Sequence, residues 1–244
     1  MPIFKRHDGR RAAQMRPFRL TPDFLPKADG SCLIEAGATR VICTACFVPG
    51  VPAWLRGKGS GWVTAEYGML PAAGGGRKTR PIGKPDGRAV EIQRLIGRVA
   101  RGVVRTDKLG ENTVYLDCDV LEADGGTRTS AITGSYVALF LAIRRAAADG
   151  RCSASAITGQ VAAVSVGMVG GRAMLDLDYA EDSAADVDMN VAMLAGGKFI
   201  DVQASAERQA FDARALGKML LLARKGIREL LILQRKAISR GEKT

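Results

Sequence analysis

A change of hydrophobic period along residues 114–145 constrains the fold of this chain more than any other feature. VYLDCDV alternates, with Val114, Leu116, Cys118 and Val120 on one face and Tyr115, Asp117 and Asp119 on the other, as in a half-buried strand. Asp124-Gly125-Gly126 breaks that run, and AITGSYVALFLAIRR continues as a long apolar helix. Two glycines permit positive φ and a close backbone approach, while Thr127, Thr129 and Ser130 supply hydroxyls suited to capping the helix start. Arg128 stands among the free N–H groups there. A helix N-terminus carries partial positive charge, and a guanidinium adds charge-assisted hydrogen bonds of about 1.5–3 kcal/mol each, so the segment suits a phosphate. The same residues also suit a connection that binds nothing. GxxxxGK[ST] is absent, so the loop is no triphosphate cradle of that type.

The remaining pattern predicts an α+β domain. SCLIEAG and RVICTACFV read as strands joined at Gly37-Ala38-Thr39, after a basic and irregular stretch, Asp8 to Arg19. GWVTAEYGML reads as a further strand, and Ala72 to Lys84 as a basic loop carrying Arg77, Lys78, Arg80 and Lys84 without compensating acids. That loop fits a solvated linker or a phosphate contact equally. RAVEIQRLIGRVARGVVR predicts a helix with Ile92, Leu95, Ile96, Val99 and Val103 buried and Arg94, Arg98, Arg101 and Arg105 on a solvated face. Arg88, at its start, can face an anion. VAAVSVGMV, a Gly170-Gly171 turn and RAMLDLDY predict a hairpin, and VDMNVAML a strand with Asp188 and Asn190 opposite Val187, Met189, Val191 and Met193. A long amphipathic helix follows from about Asp212.

Glu181 to Asp188, EDSAADVD, is the second informative stretch. Oxygen ligands of this kind suit Mg²⁺, which takes one or two carboxylates plus water and substrate phosphate; a solvated acidic loop is the plainer reading.

Composition narrows the partners. Lys and Arg outnumber Asp and Glu by 36 to 25, a net charge of +11 that favours polyanions such as RNA, though basic proteins without nucleic acid exist. Five cysteines, an odd number, argue against a disulfide framework. Cys43 and Cys46 form a CxxC inside a strand, where they point to opposite faces and cannot share a metal. The single histidine, His7, has no second histidine or cysteine beside it, which removes histidine-based hydrolase mechanisms. There is no run of about eighteen apolar residues and no signal peptide, so a soluble, cytoplasmic protein without membrane contact is expected.

Taken together, DCDVLEADGGTRTSAITG, GRAVEIQRLIGR, GWVTAEYGMLP, LRGKG and EDSAADVDMNV closely resemble the ribonuclease PH family of phosphate-dependent 3′-to-5′ exoribonucleases, in the family's order from about Asp8 to the last helix. The resemblance implies a ribosomal-protein-S5-domain-2-like fold of two βαββα units in a single domain over residues 1–244, assembled as a hexamer, a trimer of dimers. It implies phosphorolysis of transfer-RNA precursor 3′ ends, with inorganic phosphate as co-substrate, Mg²⁺ as cofactor and nucleoside diphosphates released. Carried over residue by residue, Arg88, Gly126, Thr127 and Arg128 hold phosphate, Asp182 and Asp188 are metal and catalytic residues, and Arg77 and Arg80 bind RNA. The alternative is a catalytically silent RNA-binding ring subunit of an exosome-like assembly, which would tend to lose these residues. Departures touch the RNA-binding loop: Ala72 stands where the family usually has arginine after MLP and the loop before Gly87 is about two residues short, though Arg77 and Arg80 still match; further on QASAERQAF replaces QGTAEGxPF, and none of the residues proposed to hold phosphate or metal changes.

Overall fold

A computed structural model describes residues 6–80 and 86–241. Lys84, assigned above to the basic loop, lies outside them. Among the described residues, nine strands form two sheets. The first sheet contains β1 (Phe18–Pro22), β2 (Gly30–Ala36), β3 (Thr39–Pro49), β4 (Trp62–Met69) and β5 (Asn112–Glu122), in the spatial order β1-β2-β3-β5-β4. The second contains β6 (Val161–Val169), β7 (Arg172–Leu175), β8 (Val187–Leu194) and β9 (Phe199–Ala206), in the order β7-β6-β8-β9. Every pairing is antiparallel except β4 with β5, whose connection crosses over through α1 (Gly87–Arg101).

The helix after the first sheet, α2 (Thr127–Ala148), lies between the two sheets. Ala131, Val137, Ala138, Leu141 and Ala142 pack with Ile34, Val41 and Cys43 of the first sheet and with Val161, Ala163 and Ala192 of the second. Small residues let it sit this close: a Cβ on Gly30 would stand 2.0 Å from the Ala138 carbonyl oxygen, and one on Gly134 2.8 Å from Cys43 Sγ. By length and composition α2 could span a membrane, but most of it is buried inside the protein as a core helix. The last helix, α4 (Ala213–Gly241), covers the opposite face of the second sheet, burying Met219, Ala223, Ile227 and Leu230 against Ala162, Val164, Val166 and Met189. Alternation along β6 and β8 thus feeds two cores, one on each face. The layers run sheet, helices, sheet, helix, an α+β arrangement in two halves that each end in a long helix.

Four local expectations need correction. The stretch expected to be irregular up to Arg19 already enters β1 at Phe18, whose side chains are only half buried and so leave a faint pattern. The predicted helix beyond Arg88 stops at Arg101, because Gly102 caps it and frees Val103 and Val104 to turn into the core. Its arginines are not all solvated. Arg101 stacks 4.5 Å from the Trp62 ring centre and donates to the Val63 carbonyl, whereas Arg98, paired with Asp201 at 2.8 Å, stays exposed as expected. Finally, Glu181 and Asp182 belong to a short helix, α3 (Tyr179–Ala184), rather than a loop, held by a capping box between Asp178 and Glu181.

Candidate active site

The loop after β5 is built for glycine. Ala123 N–H donates to the Ala73 carbonyl at 2.8 Å, fixing where the strand ends. Gly125 and Gly126 then take φ of +74° and +67°, both left-handed. A Cβ on Gly125 would lie 2.7 Å from the Leu177 carbonyl oxygen, so the loop passes against the backbone leading to α3 with no room for a side chain. Gly126 is the N-cap of α2, and no side-chain hydroxyl caps it. The expected capping hydroxyls are used otherwise: Thr129 Oγ1 donates to the Gly126 carbonyl at 3.0 Å, and Thr127 Oγ1 is held by a hydrogen bond of 2.9 Å with the buried Tyr67 hydroxyl. Leaving the N–H groups at the helix start without side-chain partners favours an anion there.

Two carboxylates face this cationic end. Asp182 comes from α3 and Asp188 from β8, elements that the second half delivers to the loop of the first. Burial raises the Asp182 pKa, and the positive charges of Arg128 and Arg88 oppose that rise, so both arginines stand near the carboxylate. Asp188 is pushed up to about 6, first by burial and then by the charge of Asp182, with Arg128 and the Asn190 side chain opposing. Asn190 Nδ2 donates to Asp188 Oδ2 at 3.0 Å, whereas Asp188 Oδ1 is buried with no hydrogen-bond partner among the described residues. A buried, unpaired carboxylate oxygen beside a second carboxylate is costly unless a cation completes it, and this donor set fits a hard divalent ion. The charge of Glu207 also raises both aspartates, adding a third carboxylate to the neighbourhood.

Of the residues singled out from sequence, Gly126, Thr127, Arg128, Asp182 and Asp188 converge here, with Arg88 acting on Tyr67 and Asp182 through its charge. Arg128 also lies 3.7 Å from Glu91 of α1. Arg77 and Arg80 are exposed in the irregular stretch after β4, and among the described residues neither touches the loop or the aspartates.

Sequence reasoning missed the N-terminal arginines. Arg6, Arg10 and Arg16 are buried, with Arg6 and Arg10 on Glu181 and Arg16 on Asp176. His7 Nε2 lies 2.8 Å from Asp178 Oδ2. Burial raises the Asp178 carboxyl, but the Glu181 N–H, His7 and Arg10 outweigh it and hold the group below its usual range. His7, Asp178 and Glu181 come within 4.8 Å of one another, close enough for a metal, yet the arginines already neutralise them. Their job is to seat α3, and hence Asp182.

Family models for the 3′ exoribonuclease family match residues 14–145 as its domain 1 and residues 159–226 as its domain 2. Ribonuclease PH of Neisseria meningitidis serogroup C is 54% identical over 233 residues, 95% of this chain and 96% of its own length. Ribonuclease PH of Neisseria gonorrhoeae is 52% identical over 241 residues, 98% of this chain and 99% of its own. Among solved structures, rice Rrp46 superposes with a TM-score of 0.78 at 17% identity, covering 96% of this chain and all (100%) of its own. A chain of the Archaeoglobus fulgidus exosome with RNA bound to the active site gives 0.78 at 22% identity, covering 93% and 91%. These two structures share the fold; sequence identity over nearly the whole length, with both family domains matched, makes this chain a member of the ribonuclease PH family of 3′ exoribonucleases.

Proposed function

We propose that this chain is a phosphorolytic 3′-to-5′ exoribonuclease that trims the 3′ ends of transfer-RNA precursors and, because the reaction is near balanced, can also add nucleotides from diphosphates. The observation that carries the reading is the meeting of the Gly126-Thr127-Arg128 helix start with the Asp182–Asp188 pair, whose buried Oδ1 lacks a partner among the described residues. An oxygen of inorganic phosphate attacks the phosphorus of the last phosphodiester. The bond to the O3′ of the preceding nucleotide breaks, that O3′ gains a proton, and a nucleoside diphosphate leaves.

Attack of one anion on another is the difficulty, and the residues answer it by position and charge. Arg88, Thr127, Arg128 and the Gly126 backbone hold the attacking phosphate. Asp182 and Asp188 would hold Mg²⁺, which would supply charge to offset the scissile phosphate and the departing oxygen. Arg77 and Arg80 contact RNA from the exposed turn. The two matched segments act as one unit over residues 1–244, since the phosphate loop comes from the first and both carboxylates from the second. We place the protein in the cytoplasm, in line with five free cysteines, and in a hexameric ring, as the family resemblance implies. The silent ring-subunit reading is not favoured, because the sequence keeps Arg88, Thr127, Arg128, Asp182 and Asp188, which such subunits tend to lose.

The test is digestion of a transfer-RNA precursor bearing extra 3′ nucleotides, with Mg²⁺, with and without phosphate. Diphosphates should appear only with phosphate and disappear in Arg128→Ala; monophosphates released without phosphate would overturn the mechanism.

A further inference from the structure

Arg16 lies beneath the phosphate loop, almost fully buried. Its guanidinium is bolted to Asp176, with Nε donating to Oδ2 at 3.0 Å and Nη2 to Oδ1 at 2.7 Å, and its backbone N–H donates to the same carboxylate at 2.8 Å. The remaining donors point at the loop. Nη1 donates to the Asp124 carbonyl and Nη2, at 3.4 Å, to the Gly125 carbonyl. Thr39, buried at the start of β3, reinforces this: its hydroxyl donates to the Gly125 carbonyl at 2.8 Å and accepts from the Asp124 N–H at 2.8 Å.

A trans peptide is planar, with its C=O and N–H pointing opposite ways. Holding the Asp124 carbonyl inward therefore turns the Gly125 N–H outward, and holding the Gly125 carbonyl does the same for the Gly126 N–H. Glycine has no intrinsic preference that would select this geometry. Among the described residues, none accepts a hydrogen bond from the N–H of Gly125, Gly126, Thr127 or Arg128. A row of donors is thus left free, and its direction is set from behind. Arg16 itself fills the space under the loop, with Nη2 3.1 Å from where a Cβ on Gly126 would stand.

We infer that Arg16 is a positioning residue for the attacking phosphate: anchored on Asp176 and aided by Thr39, it holds the Asp124 and Gly125 carbonyls inward so that the loop's N–H groups are preset for the anion. The inference rests on the phosphate-loop reading above and adds what fixes the loop's shape. Preorganised donors matter because their orientation is set before phosphate arrives. Lysine could keep the charge at position 16 but not the planar fork that reaches two carbonyls and a carboxylate together.

Steady-state phosphorolysis, with phosphate and RNA varied separately, tests this in wild type, Arg16→Met, Arg16→Lys, Thr39→Val and Arg128→Ala. Arg16→Met should raise the KM for phosphate about tenfold or more while the KM for RNA stays within about twofold. Arg16→Lys should retain most of that loss, and millimolar guanidinium should restore part of the phosphate affinity of Arg16→Met. Thr39→Val, which removes no charge, should raise the phosphate KM by a few fold. An unchanged phosphate KM in Arg16→Met and Thr39→Val overturns the inference, as does a parallel rise for phosphate and RNA. If Arg16→Met fails to fold, Thr39→Val decides alone by the same criterion. Arg128→Ala separates the two ideas: should it leave the phosphate KM unchanged, the phosphate site itself is wrong; should it alone raise that KM, only the positioning role falls.

Discussion

Asp188 shows what a single residue's burial costs in stability. Burial and the neighbouring Asp182 push its pKa up to about 6 from an ordinary 3.8. A carboxyl whose folded pKa lies above its unfolded one favours the fold at low pH, and that favour is lost as pH rises through the folded value. In metal-free protein at pH 7.5, Asp188→Asn should therefore raise stability by about 1–3 kcal/mol, and the gain should vanish only below the unfolded value, by about pH 3, where the wild-type group is neutral in both states. Chemical denaturation at the two pH values measures it. Phosphorolysis should fall by about 100-fold or more in the same variant, and Mg²⁺ should raise the melting temperature of wild type but not of Asp188→Asn. Equal stability at pH 7.5 would mean that the carboxylate is not strained. Tyr67 carries a smaller prediction. Its hydroxyl orients Thr127 at 2.9 Å, so Tyr67→Phe should raise the phosphate KM about threefold to tenfold and leave the RNA KM alone.

At the scale of elements, the β5–loop–α2 unit was legible because each part has a strong local cause. Strict alternation marks β5, a double glycine marks the turn, and a long apolar run marks α2. What sequence could not supply was the other side of each contact. The hydroxyls after Gly126 looked like caps because capping is their commonest local use, yet Tyr67 and the Gly126 carbonyl claim them. Likewise β1 was hidden by half-exposed positions, and α3 by its brevity, six residues. The loop's two glycines, alike in sequence, are unequal in space. Gly125→Ala would press a methyl group onto the Leu177 carbonyl and the chain at Asp178, at 2.7 Å from each, and should cost about 2–4 kcal/mol. Gly126→Ala meets only Arg16 Nη2, at 3.1 Å, and no backbone atom as close, and should cost about 1–2 kcal/mol, chiefly for its left-handed backbone. Urea unfolding of the two variants checks the order, and a reversal would mean that the loop does not pack against the α3 approach as described.

At the scale of the whole molecule, the site exists only because distant parts of the chain close on it. Arg16 and Asp176 are 160 residues apart and Arg6 and Glu181 are 175 apart, so no local pattern could announce that basic N-terminal residues would be buried struts. The excess of basic residues, by contrast, is visible at once, and the fold sorts it. Arg6, Arg10 and Arg16 are spent inside on acids of the second half, while Arg77 and Arg80 stay in water. A buried, paired arginine has no counterion to release when RNA arrives; an exposed one does. The salt dependence of RNA binding should accordingly report the exposed set alone. Removing one of the exposed arginines proposed to contact RNA, Arg77→Ala or Arg80→Ala, should weaken RNA binding and make the slope of log affinity against log salt shallower by about one. The KM for inorganic phosphate should not change, because among the described residues neither side chain touches the Gly126-Thr127-Arg128 loop. Filter binding of a transfer-RNA precursor across a potassium chloride series measures the slope. A slope untouched by both substitutions would move the RNA path away from the turn after β4 and onto other exposed cations of the surface.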